Sequence, residues 1–148
     1  MLERPVLVCA LVGFVVVGVV AIRLWNARRV ASLRRLPPEW DVLGVTPDGR
    51  GIVVAFSTTS CAACHVAQSP AIERARTELA DAEVRRIDVD AARRPDIARA
   101  FGVLTVPSTV VIAAHGARIV AVNQGFTASD RLVEQLQHAI GEVPAPLK

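Results

Sequence analysis

The chain has 148 residues, 52% of them hydrophobic and 4% aromatic, with a formal net charge of +3. The charge is unevenly placed: residues 1–36 hold six arginines against one acid, whereas residues 37–148 hold eleven basic and thirteen acidic residues. That split excludes nucleic-acid binding as the reason for the basic balance, because the excess belongs to one flank and not to the folded part.

From Val6 to Ile22 the chain is free of charge and rich in Val and Leu, at the low end of the length that spans a bilayer hydrocarbon core. With Trp25 suited to the interface beyond it, the run predicts one N-terminal transmembrane helix. A cleavable signal peptide would need a basic start and small residues at its end. Here Glu3 offsets Arg4, and the run closes on Arg23-Leu24-Trp25-Asn26. Cys9 lies near the start of the apolar stretch and reads as a small buried hydrophobe. Arg23, Arg28, Arg29, Arg34 and Arg35 then form a membrane-proximal stop that also suits anionic lipid headgroups. This gives an anchor over 1–25, a basic juxtamembrane linker over 26–39 that ends at Pro37-Pro38, a domain over 40–142 and a tail over 143–148. About a hundred residues suffice for one domain with a single core. Neither an internal repeat nor a long low-complexity segment breaks it.

Ile52-Val53-Val54-Ala55-Phe56 is a continuous apolar run and predicts a strand buried on both faces. Directly after it comes Cys61-Ala62-Ala63-Cys64, followed by Ile72, Ala75 and Leu79 at helical spacing across Val66–Ala80, with a kink expected at Pro70. The cysteines therefore stand where a buried strand ends and a helix begins, the edge of an α/β sheet at which ligand chemistry is usually found. A two-residue gap places the first thiol at the helix N-terminus. Unsatisfied N–H groups and the positive end of the macrodipole there lower its pKa. The second thiol, one turn further in, is within reach of a mixed disulfide on the first. Half a zinc site has the same spacing but needs a second pair of soft ligands, which the chain lacks. Cys61, Cys64 and His65 together also spell C-x-x-C-H, the c-type haem attachment motif. Methionine is present only at position 1, so a second axial ligand would have to be His115 or His138. The competing reading of His65 is a solvent-facing residue that modulates the thiols. That reading needs no metal or prosthetic group.

Further along, Val84–Val89 predicts a second strand, and Pro95–Phe101 a short helix opened by proline. Thr105-Val106-Pro107-Ser108 leads into Thr109–Ile112. A proline cannot donate to the ladder of a central strand, and a cis Val106–Pro107 bond at the strand entrance resolves that difficulty. Ala114–Ala117 predicts a hairpin turn into Arg118–Val122, and Gly125 the end of that strand. Thr127-Ala128-Ser129-Asp130 has the spacing of a capping box, with Leu132, Val133, Leu136 and Ile140 on one face of a terminal helix.

In this order of elements, with Cys61–Cys64 and Val106-Pro107 far apart in sequence but in agreement, the chain resembles the thioredoxin superfamily from Trp40 to Glu142. The resemblance implies an α/β thioredoxin-like fold, a central mixed sheet flanked by helices. It implies that Cys61 attacks, that Cys64 resolves, and that Val106 with Pro107 offers a docking edge to an extended protein substrate. The partners are then protein thiols and disulfides together with an electron donor or acceptor. The chain departs from the family at four places: Ala62-Ala63 fills the gap, Ser60 precedes the first cysteine, Ala55 stands where a buried aspartate serves the resolving thiol, and Pro70 falls one residue later than is usual in the helix after the cysteines. These point to a specialised membrane-anchored thiol-disulfide oxidoreductase, with a redox-inert binding module as the alternative. The arginine bias puts the domain on the cytoplasmic face. Analogy with anchored relatives puts it on the extracytoplasmic face.

Overall fold

The computed structural model describes residues 12–25, 28, 40–115 and 118–141. The chain divides into two compact units, Met1–Ser32 and Leu33–Lys148. In the first, residues 12–25 form helix α1, whose apolar side chains, among them Phe14, Val17 and Ile22, are exposed. The expected span Val6–Ile22 thus lies only in part within the described residues. Cys9, most of the 26–39 linker and the 143–148 tail lie outside them. At about 1.5 Å per residue the described residues 12–25 of α1 rise roughly 21 Å. Among the described residues, no helix is long and apolar enough to cross a membrane.

The second unit is a four-stranded mixed sheet flanked by helices. Its elements are α2 (Trp40–Leu43), β1 (Gly51–Ser57), a π-helical turn (Cys64–Gln68), α3 (Ser69–Glu78), a 3-10 turn (Asp81–Glu83), β2 (Val84–Asp90), α4 (Pro95–Ala100), β3 (Ser108–Ile112), β4 (Ile119–Gln124) and α5 (Ser129–Gly141). The strands lie in the order β2-β1-β3-β4. β1 pairs parallel with β2 from Gly51↔Val84 to Ser57↔Asp90, and antiparallel with β3 from Ile52↔Ile112 to Phe56↔Ser108. Its central place explains its composition: a strand covered on both faces has no solvent side on which to carry polar residues.

Side chains alternate across the sheet. Val53 and Ala55 of β1, with Val111 and Ala121, pack against Ala71, Ile72 and Ala75 of α3 and Leu132, Val133 and Leu136 of α5. Phe56 faces the other way and meets Phe101 with ring centroids 6.3 Å apart. The α5 stripe is the one that the helical spacing predicts. Leu132 and Leu136 are fully buried, each worth about 1.5–3 kcal/mol relative to exposure. β2, by contrast, is an edge strand. Only Val84 and Val89 are buried in it, and Arg85, Arg86 and Asp88 keep its flank charged, which discourages pairing with another chain.

Two expectations are refined locally. Pro70 stands inside a helix that runs on from Ala62 to Glu78, and the turn before it is widened to π geometry, with Ser69 N–H donating to Cys64 O. One extra residue ahead of the proline is thus absorbed where the ring would otherwise meet the carbonyl four residues back. At α5, Leu132 N–H donates to Ala128 O at 3.1 Å, so Ala128 and not Thr127 holds the N-cap position. The backbone of Thr127 is engaged elsewhere: its N–H donates to Gln68 Oε1 at 2.8 Å and its C=O accepts from Gln68 Nε2 at 3.1 Å. In the β3–β4 turn, Ala114 and His115 are seen, and Gly116 and Ala117 lie outside the described residues.

Candidate active site

The redox centre stands at the end of β1, where the chain leaves the central strand and enters the helix that continues as α3. Cys61 and Cys64 form a disulfide with an S–S distance of 2.09 Å and Cα atoms 5.3 Å apart. Their environments differ. Cys64 is 5% exposed, whereas Cys61 is half-buried at the mouth of the turn. Cys61 N–H donates to Thr58 O at 3.1 Å, and Cys64 N–H points back to Cys61, donating to its O at 3.2 Å and to its Sγ at 3.1 Å. A backbone donor is therefore already aimed at the outer sulfur, which favours a negative charge there once the bond is reduced.

Val106 and Pro107 come to the same end of the sheet, because the antiparallel register sets Ser108 opposite Phe56. The Val106–Pro107 peptide is cis. Thr58 and Val106 line one open groove of about 330 Å³ together with Ala91, Pro95, Ala98, Arg99 and Leu104. The loop of Val106 and Pro107 and the end of β1 that leads to Cys61 thus lie at one end of the sheet. The histidines do not join them. His65 is exposed beside Cys64. His115 lies beyond the far end of β3, and His138 is next to Ala139, whose C=O accepts from Ala114 N–H. A five-residue strand is about 17 Å long, so neither distant histidine is placed to ligate a group attached at Cys61 and Cys64. Among the described residues, no group of three or more His, Cys, Asp or Glu is arranged to hold a metal ion.

Ala55, 6% exposed, sits in the apolar cluster between β1, α3 and α5. The buried polar side chains among the described residues are those of Gln68, Ser108, Thr109 and Thr127, and none of them titrates. Among the described residues no buried carboxylate therefore stands ready to take a proton from Cys64.

The three chain segments that form the rim carry no charge, and Arg99 lines the groove beside them. Segments 57–63, 102–108 and 124–128 contain no Asp, Glu, Lys, Arg or His. Among the described residues of the second unit, the exposed large apolar side chains are Val66 (77%), Leu104 (56%) and Phe126 (55%). Val66 follows Cys64 in the π-helical turn, and Leu104 and Phe126 lie on the second and third of those segments.

Two residues of this rim were not singled out from sequence, Gln68 and Gln124. Gln68 clamps the backbone of Thr127. Gln124 Oε1 accepts from Leu104 N–H at 3.1 Å and lies 3.3 Å from Ser108 Oγ, and its Nε2 donates to Gly102 O at 2.9 Å. The one sequence signal near them is Pro70, displaced by the residue that the π-helical turn absorbs.

A sheet of this topology with a disulfide at the β1–helix junction and a cis-proline loop beside it defines a thioredoxin-like α/β protein. The family model for thioredoxin matches residues 43–138, and the chain belongs to that family. Among solved structures, it is similar to a mutant thioredoxin from Halobacterium salinarum NRC-1, with 23% identity over 72% of this chain and 88% of that one and a TM-score of 0.57. It is also similar to Fasciola hepatica thioredoxin, with 26% identity over 63% of this chain and 84% of that one and a TM-score of 0.52. MTB dsbF, solved in mixed oxidised and reduced forms, shares 18% identity over 62% of this chain and 81% of its own, at a TM-score of 0.50. No curated protein sequence matches the chain significantly. At the level of the family, this fold with its Cys61–Cys64 disulfide is that of a thiol-disulfide oxidoreductase.

Proposed function

We propose that this protein exchanges disulfides with protein substrates, with Cys61 as the attacking thiol, Cys64 as the resolving thiol and Val106-Pro107 as the docking edge. The observation that carries the reading is the asymmetry of the pair: an outer sulfur that accepts the Cys64 N–H, and a buried partner one turn along. In the reductive direction, the Cys61 thiolate attacks one sulfur of a substrate disulfide. The Cys61–substrate S–S bond forms, the substrate bond breaks, and the departing thiolate takes a proton from water. Cys64, having lost its proton to water, then attacks Cys61 Sγ. The internal disulfide forms and the second substrate thiolate leaves, so two electrons have passed to the substrate. An external dithiol restores the reduced pair. The same steps in reverse oxidise a substrate dithiol.

The charge-free segments 57–63 and 102–108 support docking of a chain segment by apolar contact and backbone hydrogen bonding, with Arg99 at the side of the groove. Insulin-disulfide reduction with dithiothreitol as donor tests the reading. Turnover that needs both cysteines is expected, and a chain no better than dithiothreitol alone would contradict it.

The proposed setting is a membrane, with the run Val6–Ile22 as anchor and the domain on its cytoplasmic side. The apolar run, the exposed apolar side chains of α1 and the five arginines that follow support this. C-terminal fusions to alkaline phosphatase and to a cytoplasmic fluorescent reporter test it. A fluorescent fusion with inactive phosphatase is expected; the opposite pair would put the domain outside.

A further inference from the structure

The redox centre is assembled from three separate stretches of chain, and two glutamine side chains tie them together through one short segment. On one side, Gln68 closes the π-helical turn that begins at Cys64. The residue is 3% exposed, and its amide donates to and accepts from the backbone of Thr127. On the other side, Gln124 reaches across the loop that presents Val106, touching Gly102 O, Leu104 N–H and Ser108 Oγ. Ser108 Oγ in turn donates to Thr105 O at 2.7 Å, next to the docking residue. Gln124 and Thr127 are separated only by Gly125, at φ 83°, and Phe126. The helix of the resolving thiol and the docking edge are therefore both referenced to residues 124–127. A glutamine amide suits this work because it offers a donor and an acceptor on one plane without a charge.

We propose that Gln68 and Gln124 are positioning residues of the disulfide-exchange site, Gln124 holding the docking edge and Gln68 holding the Cys64 turn. The inference rests on the reading of the site given under Proposed function. The two roles separate kinetically. Releasing Gln124 frees the loop Gly102–Pro107 and weakens substrate docking while the thiols stay as they are. Releasing Gln68 loosens the turn whose Cys64 N–H is aimed at Cys61 Sγ, so the chemistry suffers and docking does not.

The test uses the full chain and its Gln124→Met, Gln124→Glu, Gln68→Met and Gln68→Glu variants. It measures kcat and KM for insulin reduction at 25 °C and the pH midpoint of iodoacetamide labelling of Cys61. Gln124→Met is expected to raise KM at least fivefold with kcat and the labelling midpoint unchanged. Gln124→Glu keeps an acceptor for Leu104 N–H but turns an oxygen toward Gly102 O, so it is expected to raise KM as well. Gln68→Met is expected to lower kcat at least fivefold and raise the labelling midpoint, with KM within twofold of wild type. Should Gln68→Met not fold, Gln68→Glu carries the same expectation, since it loses the bond to Thr127 O. Variants that melt earlier but keep wild-type kcat, KM and midpoint would show a merely structural role and overturn the inference alone. A wild-type chain inactive on insulin would overturn the disulfide-exchange reading, and this inference with it.

Discussion

The redox rim and the β2 edge of the same domain are held by different means. At the edge, Arg86 pairs with Glu73 and Asp88, both at 2.7 Å, Arg76 pairs with Glu73 at 3.0 Å, and Arg85 meets Asp48 at 3.2 Å. The three rim segments carry no charge to pair, and neutral amides join them. The difference teaches what each place must tolerate. An edge strand has to repel other strands, and half-exposed ion pairs do that while contributing little net stability. A thiol whose pKa must be set by backbone donors is better placed without competing charges close by.

The largest effects lie at the rim. Cys64→Ser should trap a mixed disulfide through Cys61 and stop turnover altogether, because the bond to substrate forms and nothing resolves it. Non-reducing electrophoresis and mass spectrometry read the adduct. Introducing a charge beneath the rim is the next largest change. Ala55→Asp buries a carboxyl in the cluster of Val53, Ile72 and Leu132, at a cost of about 2–5 kcal/mol, and the group responds with a raised pKa. It should also give Cys64 a nearby proton acceptor and speed resolution near neutral pH. Denaturant melts and stopped-flow reduction measure the two halves. Unchanged stability with an unchanged rate would mean that position 55 does not lie under the site.

Breaking the charged edge should do less. Arg86→Met removes bonds to Glu73, Asp88 and Ser69 and is expected to cost about 1–2 kcal/mol in a denaturant melt, with insulin reduction within twofold of wild type. The smallest effect belongs to acid. The side-chain hydrogen bond from Arg50 holds Asp48 at about 2, below its ordinary 3.8, and that from Arg94 holds Asp96 at about 2 in the same way. A depressed carboxylate stabilises above its unfolded pKa, so the contribution is complete above about pH 4 and is lost as the pH falls through about 2. Both carboxylates are exposed, so the slope should be shallow and flatten further in high salt or in Asp48→Asn.

Much of this architecture can be read from residue order, because it follows from local rules. The apolar run at Ile52–Phe56 has only one environment to suit it, and the helical stripe of α5 has only one face to bury. The cysteine pair and Val106-Pro107 were likewise legible, since each announces a backbone constraint. The two glutamines were not. A Gln at position 68 or 124 looks like any solvated polar residue until the sheet brings Thr127 and Leu104 to it, and those partners lie 59 and 20 residues away in the chain. The short helix α2 and the 3-10 turn were missed because elements of four and three residues carry no periodicity. The π-helical turn left a trace in the position of Pro70, but one residue of displacement does not say how the chain absorbs it.

The central claim is that the two thiols are unequal, with Cys61 the nucleophile. It is tested most directly by iodoacetamide labelling of the fully reduced chain across pH, with each cysteine followed by mass spectrometry. The account predicts that Cys61 labels first, with a midpoint well below the ordinary thiol value of about 8.5, while buried Cys64 labels slowly. Equal labelling of both thiols with midpoints near about 8.5 would contradict it.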